Sequence, residues 1–334
     1  MTTPVRRPAG ALALVAAVAG ALVAVVLGFL TFGAQATVAP DHVPVAVAAP
    51  PGPPQAAAQR LAEHGGGPLD VRVTDPQAAR KLLEDKKVYG VLELGSPATV
   101  VVSGAVNPAG TQVAQQALTG AAAALGGTPK VETIHPVSLA GRVAPLAASA
   151  LAWIGALVAG LALTQLGKRS ESALGAGARF AQVVAVGVLM TGVLAGFLKL
   201  WDSSLPLGWD VLGFLFLAAT AFAALQAGLL RLLGLRAMAV LGPLYLVAPA
   251  VAGQVPELLN PAYRTLLWSW TPFRFSTEGL RSLLQGVPDA PDVMAGVWVL
   301  AGLLAAGLLV ALWPSARQEA EAHAAHRVVD VGVH

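Results

Sequence analysis

The residues best suited to chemistry in this chain are two tail histidines and a glycine–lysine stretch, and their spacing assigns no enzymatic centre. His323 and His326 stand three residues apart, which places both imidazoles on one face of a helix, where they are able to bind a metal. No carboxylate or thiol completes that set, and the chain has no cysteine, so a solvated tail is the interpretation we favour. The stretch Gly167-Lys168-Arg169-Ser170 lacks the preceding glycine of a phosphate-binding loop. We therefore predict no catalytic residue, no metal and no cofactor on this chain.

Glutamines are the notable polar side chains inside the apolar parts of the sequence, at Gln165, Gln182 and Gln226. Their amides are suited either to hydrogen bonds between helices or to lining a polar path, and we favour the first role. No aspartate or glutamate lies in the middle of an apolar segment. That argues against a carrier driven by protons or sodium ions, because such carriers generally need an ionisable group inside the membrane.

Six apolar segments must position these residues. Most are about 20 residues long, so as helices they would span about 30 Å, the thickness of the hydrocarbon core of a bilayer. Only 12% of the chain is charged, about half the usual fraction in soluble domains. The sequence predicts a polytopic α-helical membrane protein with six transmembrane helices and an exported α/β domain between helices 1 and 2. The segments cover residues 11–32, 143–166, 179–201, 211–230, 237–252 and 293–313.

Basic residues flank these segments asymmetrically, and with six crossings they all fall on one side. Because lysine and arginine accumulate on the cytoplasmic side, we expect both chain ends in the cytoplasm and a multi-pass protein of the plasma membrane. The net charge of +3 arises from these groups, so we expect membrane lipid and no nucleic acid as a partner. The groups are Arg6, Arg7, Lys168, Arg169, Arg179, Arg231, Arg236 and Arg317.

Two of the apolar segments have alternative interpretations. A cleaved signal peptide ending at Ala34-Gln35-Ala36 is the rival for the first segment, but its apolar run is longer than a signal peptide requires. The fifth segment contains Pro243 and Pro249, so we expect a broken or re-entrant helix there.

The predicted domains are residues 1–33 (cytoplasmic N-terminus and helix 1), 34–142 (the exported domain), 143–314 (helices 2–6) and 315–334 (cytoplasmic tail). Strands at 43–47, 69–73, 88–94, 99–103 and 131–134 alternate with helices at 54–64, 75–87 and 107–125, which favours a mixed or parallel sheet.

Two local features of these domains are specified in the sequence. Asp75 is expected to cap the helix that starts at Pro76, and the charged run 80–87 is expected to be the solvated face of that helix. An amphipathic outer segment is predicted at 254–292. Within it, residues 276–284 form a short helix capped by Ser276 or Thr277.

Two stretches resemble the type-2 ABC exporter permease superfamily, in the subgroup with a large outer domain that includes proteins resembling the phage-infection protein. Residues 73–94, VTDPQAARKLLEDKKVYGVLEL, resemble the family's short helix and following strand, although the glycine at the helix end is missing and Gly95-Ser96 replaces the strand-end proline. Residues 272–281, PFRFSTEGLR, resemble the outer segment before the last span. In this segment Pro272, Glu278, Gly279 and Arg281 are the candidate site residues.

The resemblance implies a permease that dimerises, with itself or with a paired permease, and couples to a separate cytoplasmic ATPase that binds the ATP. The inner connection 167–179 would be the candidate coupling loop, through Lys168, Arg169, Glu171 and Arg179. The alternative function is a non-transporting membrane receptor or secretion-assembly component whose outer domain binds a partner. Neither interpretation identifies a substrate.

Overall fold

A computed structural model of the chain describes residues 9–64, 66–169 and 175–313, and these fall into two compact units. The first contains the described residues up to Val137 together with Gly242–Arg274. The second contains Ser138–Leu241 and the described residues from Phe275 onward. The predicted outer segment 254–292 is therefore divided between the two units.

Five helical runs among the described residues are long and apolar enough to cross a membrane. The chain thus has the helices of a membrane-spanning protein, mostly α-helical, with one small mixed sheet. The predicted count of six is not confirmed, because the fourth and fifth predicted segments lie in one helical run of 44 residues. The runs are Ala13–Ala36, Leu139–Arg169, Ala176–Trp201, Trp209–Ala252 and Pro291–Leu312.

The 44-residue run is interrupted once, at a short 3₁₀ turn. Helix Trp209–Leu233 ends at Gly234, whose φ of 57° suits glycine, and the 3₁₀ turn Gly234–Ala237 leads into helix Met238–Ala252. The second helix has 15 residues, about 22 Å at 1.5 Å each, and it continues through Pro243 and Pro249. The irregular turn therefore precedes the prolines instead of coinciding with them.

In the order of the chain, the helices of four or more α-helical residues are α1 (Ala9–Gly28), α2 (Pro53–His64), α3 (Pro76–Glu84), α4 (Pro108–Ala124), α5 (Leu139–Arg169), α6 (Ala176–Trp201), α7 (Trp209–Leu233), α8 (Met238–Ala252), α9 (Pro272–Leu284) and α10 (Pro291–Leu312). The strands are β1 (Val43–Ala48), β2 (Leu69–Thr74), β3 (Val91–Glu93), β4 (Thr99–Ser103) and β5 (Lys130–Ile134).

The first unit contains a five-stranded sheet in the order β2-β1-β3-β4-β5. Strand β1 pairs in parallel with β2 and β3, β3 and β4 form an antiparallel hairpin, and β4 pairs in parallel with β5. The five predicted strands and the mixed sheet are confirmed, with β3 shorter than expected.

Helices cover both faces of this sheet. Val45 and Val47 of β1 pack with Ala58 of α2 and Leu118 of α4 on one face. The alternate residues of β1, Ala46 and Ala48, pack against α3 on the other face through residues such as Leu83. Because both faces of β1 are covered, this strand is apolar along its whole length, as expected for a central strand.

In the second unit α7 is the central helix, and α5, α6 and α10 pack around it. Trp153 of α5 and Phe222 of α7 meet edge to face, with ring centroids 5.2 Å apart. Gln226 of α7 is fully buried, and its Nε2 donates to the backbone oxygen of Trp153 at 3.1 Å, so this glutamine bonds between helices.

Candidate functional site

The candidate coupling residues that the structure describes lie at the ends of three helices of the second unit. Lys168 is in the last turn of α5 and Arg179 in the first turn of α6, and Arg231 joins them from the last turn of α7. All three line one cavity of about 210 Å³, here called the basic cavity. Arg169 is exposed and does not line it, and Glu171 lies outside the described residues.

The walls of the basic cavity offer hydrogen-bond donors. Gln182 lines it, and the Nε2 of this residue is buried without a hydrogen-bond partner among the described residues. Thr164 donates its hydroxyl to the Gly160 oxygen at 2.8 Å, and Arg231 uses one Nη1 to donate to the Val310 oxygen at 2.8 Å. No carboxylate lines the cavity within the part of the chain that the structure describes. The remaining lining is Gly160, Leu163, Ala227, Leu230 and Gly234.

A second group of polar residues lies inside the same unit, where α9 packs against α5. Here Ser149 of α5 bonds with Ser276 of α9 at 2.8 Å between hydroxyl oxygens, and its own hydroxyl also reaches the Pro145 oxygen at 2.9 Å. Thr277 donates to the Ser149 hydroxyl at 3.4 Å. All three hydroxyl-bearing residues are buried, so the pairing satisfies groups that would be costly to leave without partners.

Ser276 and Thr277 are therefore interior residues of α9 and do not cap it. The predicted cap is wrong because the helix begins four residues earlier, at Pro272. Proline suits the first helical position, since its missing N–H would have no helical partner there. Pro272 belongs to the first unit, whereas Glu278, Gly279 and Arg281 belong to the second.

Arg281 is the buried cation of this group, with 4% of its side chain exposed. Its Nε donates to the Glu278 carboxylate at 3.3 Å, and its Nη1 donates to the backbone oxygen of Arg142 at 3.5 Å. Glu278 and Arg281 are three residues apart on one helix, so the ion pair forms locally.

Gly279 is the point of closest packing on α9. A Cβ built there would lie 2.5 Å from Cζ of Phe214 in α7 and 3.3 Å from the Asp292 oxygen. The glycine is therefore required by the neighbouring ring, and any larger residue would displace it.

An apolar groove of about 740 Å³ runs between α5 and α6 in the second unit. Its walls include Leu151, Leu194 and Phe197, and Asp202 lies at one end. Asp202 accepts a hydrogen bond from Ser138, which, with a further bond from Ser204, keeps the pKa of this carboxyl below its ordinary value. The walls suit a hydrocarbon group rather than a charged solute.

Within the first unit, Arg80 in the charged run of α3 forms two structural ion pairs. Arg80 donates from Nε and Nη2 to both oxygens of Glu93, at 2.7 and 3.0 Å, and from Nη1 and Nη2 to both oxygens of Glu132, at 2.8 and 3.0 Å. The expectation that residues 80–87 form only a solvated face is therefore wrong for Arg80, which joins α3 to β3 and β5. Asp75 does cap α3, accepting from the Ala78 N–H at 2.9 Å, as predicted.

Comparison of this chain with protein-family models, curated proteins and solved structures finds no match. The resemblance of residues 73–94 and 272–281 to an exporter family therefore depends on those residues alone.

Sequence reasoning missed several residues at these sites. Arg231 counted only as a topology signal, and nothing in its surroundings marked it as part of a cavity with Lys168 and Arg179. Ser149 carries no signal either, because its partners are about 127 residues away along the chain and only the packing of α9 on α5 brings them together.

Proposed function

We propose that this chain is the membrane subunit of an ABC-type exporter, which pairs with a second permease copy and is driven by a separate cytoplasmic ATPase. The proposal combines membrane-spanning helices with a mixed sheet domain that follows the first of them. A multi-pass location in the plasma membrane, with residues 34–142 outside the cytoplasm, belongs to the same proposal.

The observation that supports the proposal most directly is the tight packing of the Gly279-Leu280-Arg281 triplet. This triplet ends the stretch 272–281, which resembles the family's segment before the last span. Gly279 has no room for a side chain, Leu280 is 1% exposed and Arg281 is buried in an ion pair. A helix fixed this firmly beside α5 and α7 is suited to move together with them when an ATPase acts on the opposite ends of those helices.

The test is to purify the tagged full chain from membranes of its own cells and to measure ATP hydrolysis. We expect a soluble ATPase with a P-loop to co-purify, and the complex to hydrolyse ATP faster than that ATPase alone. The purified chain by itself should hydrolyse none. A chain that inserts normally but recruits no ATPase would overturn the proposal and favour the alternative, a membrane receptor whose sheet domain binds a partner.

Two variants separate association from coupling. Arg169→Ala with Glu171→Ala should weaken ATPase association, with exposed Lys81→Ala in the sheet domain as the control. Arg281→Gln should preserve association but reduce the stimulated hydrolysis, because it removes the guanidinium that bonds the Arg142 oxygen of α5 and leaves the loop intact. Full stimulation by the Arg281 variant would remove α9 from the mechanism.

A further inference from the structure

The basic cavity brings three cationic side chains together, and none of the described residues that line it is a carboxylate. Lys168 and Arg231 are at the carboxyl-terminal ends of α5 and α7, where a positive charge complements the helix dipole. Arg179 is in the first turn of α6, where the same dipole opposes a positive charge. Arg179 and Arg231 also repel each other. The helix dipoles therefore account for two of the three cations but not for Arg179.

The hydrogen-bonding groups that line the cavity are mostly donors. Neither Lys168 nor Arg179 forms an ion pair with a described residue, and the buried Gln182 Nε2 has no acceptor among them. Ammonium, guanidinium and amide N–H groups thus converge on one space in which the described side chains supply no carboxylate. A buried donor without an acceptor costs free energy, which an oxyanion in the cavity would recover.

The volume of the basic cavity and its position in the membrane restrict the kind of anion that fits it. At about 210 Å³ the basic cavity is smaller than the roughly 300–1,000 Å³ typical of sites for drug-sized ligands, so it suits one small charged group rather than a nucleotide. It lies where three membrane-spanning helices end, which is the depth of lipid headgroups. Basic pockets between transmembrane helices are known to hold anionic headgroups.

We infer that the basic cavity binds a phosphate group, held by Arg179, Lys168 and the Gln182 amide. The carrier of that phosphate is either an anionic membrane lipid, which the position favours, or a free phosphorylated solute. A guanidinium binds phosphate through two parallel hydrogen bonds, a role that Arg179 is free to take because it has no ion-pair partner among the described residues.

The experiment uses the purified full chain in nanodiscs of phosphatidylcholine, with and without a minor fraction of phosphatidic acid. Retained lipid is counted by native mass spectrometry, and unfolding is followed on heating. We expect phosphatidic acid to be retained and to raise the unfolding temperature, and Arg179→Gln or Lys168→Gln to weaken its binding about five- to tenfold. Inorganic phosphate added to phosphatidylcholine nanodiscs forms the second arm, and stabilisation in that arm would identify a free solute as the ligand.

The matched control is Arg236→Gln, which removes the same charge just beyond the carboxyl-terminal end of α7, from an exposed residue that does not line the cavity. Its phosphatidic acid binding should equal that of the unmodified chain. Equal losses from Arg179→Gln and Arg236→Gln would show a general surface-charge effect and overturn the inference, as would the absence of any effect from both phosphatidic acid and phosphate. If Arg179→Gln does not fold, Lys168→Gln and Gln182→Leu serve as the test. No ATPase is needed, so the result is independent of the exporter proposal.

Discussion

At the scale of single residues, Gly279 has a sharply defined requirement. Gly279→Ala should destabilise the protein by about 1–3 kcal/mol, because the added methyl group would overlap the Phe214 ring. Gly213→Ala in α7 is the matched control, since a Cβ there meets nothing within 4 Å and alanine favours a helix. Unfolding on heating in detergent measures both, and equal unfolding temperatures would show that Phe214 moves aside without cost.

Gln226 is a buried residue whose replacement by leucine should change the stability of the protein little. Its Oε1 is buried without a partner among the described residues, and its Nε2 bonds a backbone oxygen that already belongs to a helix. Gln226→Leu keeps the volume and removes the unsatisfied oxygen, so the free energy of unfolding should change by less than about 1 kcal/mol. Gln226→Ala should cost about 2 kcal/mol or more through the cavity it creates. A large loss with leucine would assign the amide a functional or structural role that its contacts do not show.

At the scale of elements, Arg80 joins one helix to two strands. Arg80→Gln should destabilise the sheet domain by about 1 kcal/mol, a modest value because the side chain is 37% exposed and water screens the ion pairs. Arg72→Gln removes a more exposed pair with Asp70 and should cost less. Hydrogen exchange of β3 and β5 in the full chain measures the difference, and an equal effect of both variants would contradict the joining role.

The ion pair between Arg80 and Glu132 predicts that the stability of the sheet domain depends on pH. The hydrogen bond from Arg80 holds the pKa of Glu132 below its ordinary value of 4.5, so the stabilisation is complete above that pH and is lost as pH falls through the lower pKa of the folded state. Protection of β5, corrected for intrinsic exchange rates, should therefore decrease below about pH 4.5. Glu132→Gln should remove most of that decrease, and an unchanged acid profile in this variant would place its origin elsewhere.

The elements also show which parts of this structure a sequence can predict. The apolar run of β1 and the Asp75-Pro76 pair before α3 are local signals, so the strand and the cap are found where they were expected. The partners of Arg80 lie 13 and 52 residues along the chain, and the start of α9 depends on Pro272 rather than on the nearby serine and threonine. The pairings of Arg80 are tertiary contacts, which no local pattern specifies. The proline was a local signal, but the nearby hydroxyl residues were preferred to it as helix caps.

At the scale of the whole molecule, the orientation of the helices is open to a direct test. The chain has no cysteine, so single cysteines introduced at exposed Glu84, Arg169 and Asp289 report their side of the membrane. We expect Glu84 and Asp289 to react with an impermeant reagent added outside intact cells, and Arg169 only after the membrane is opened. Glu84 and Arg169 reacting from one side would contradict the predicted orientation. Asp289 reacting from inside would show that α8 does not complete a crossing.

The same scale shows why the six-helix prediction could not be settled from hydropathy. A hydropathy profile separates apolar segments at polar residues, so Arg231 and Arg236 divide residues 209–252 into two predicted spans. The backbone instead remains helical from Trp209 to Ala252 apart from four 3₁₀ residues. The basic cavity was likewise beyond prediction, because it requires the ends of three helices to meet.

The contact between α7 and α10 restricts how the second unit is able to rearrange. A methyl group on Gly307 would collide with the α7 backbone at Ala224 and Leu225, and one on Gly228 would lie 3.2 Å from the Gly307 oxygen. Where these two glycines meet, main chain lies against main chain, so a change of side-chain rotamer cannot relieve the contact there. Any gating motion should therefore carry these two helices as one rigid pair, and the sliding should occur where rings such as Trp153 and Phe222 separate the backbones.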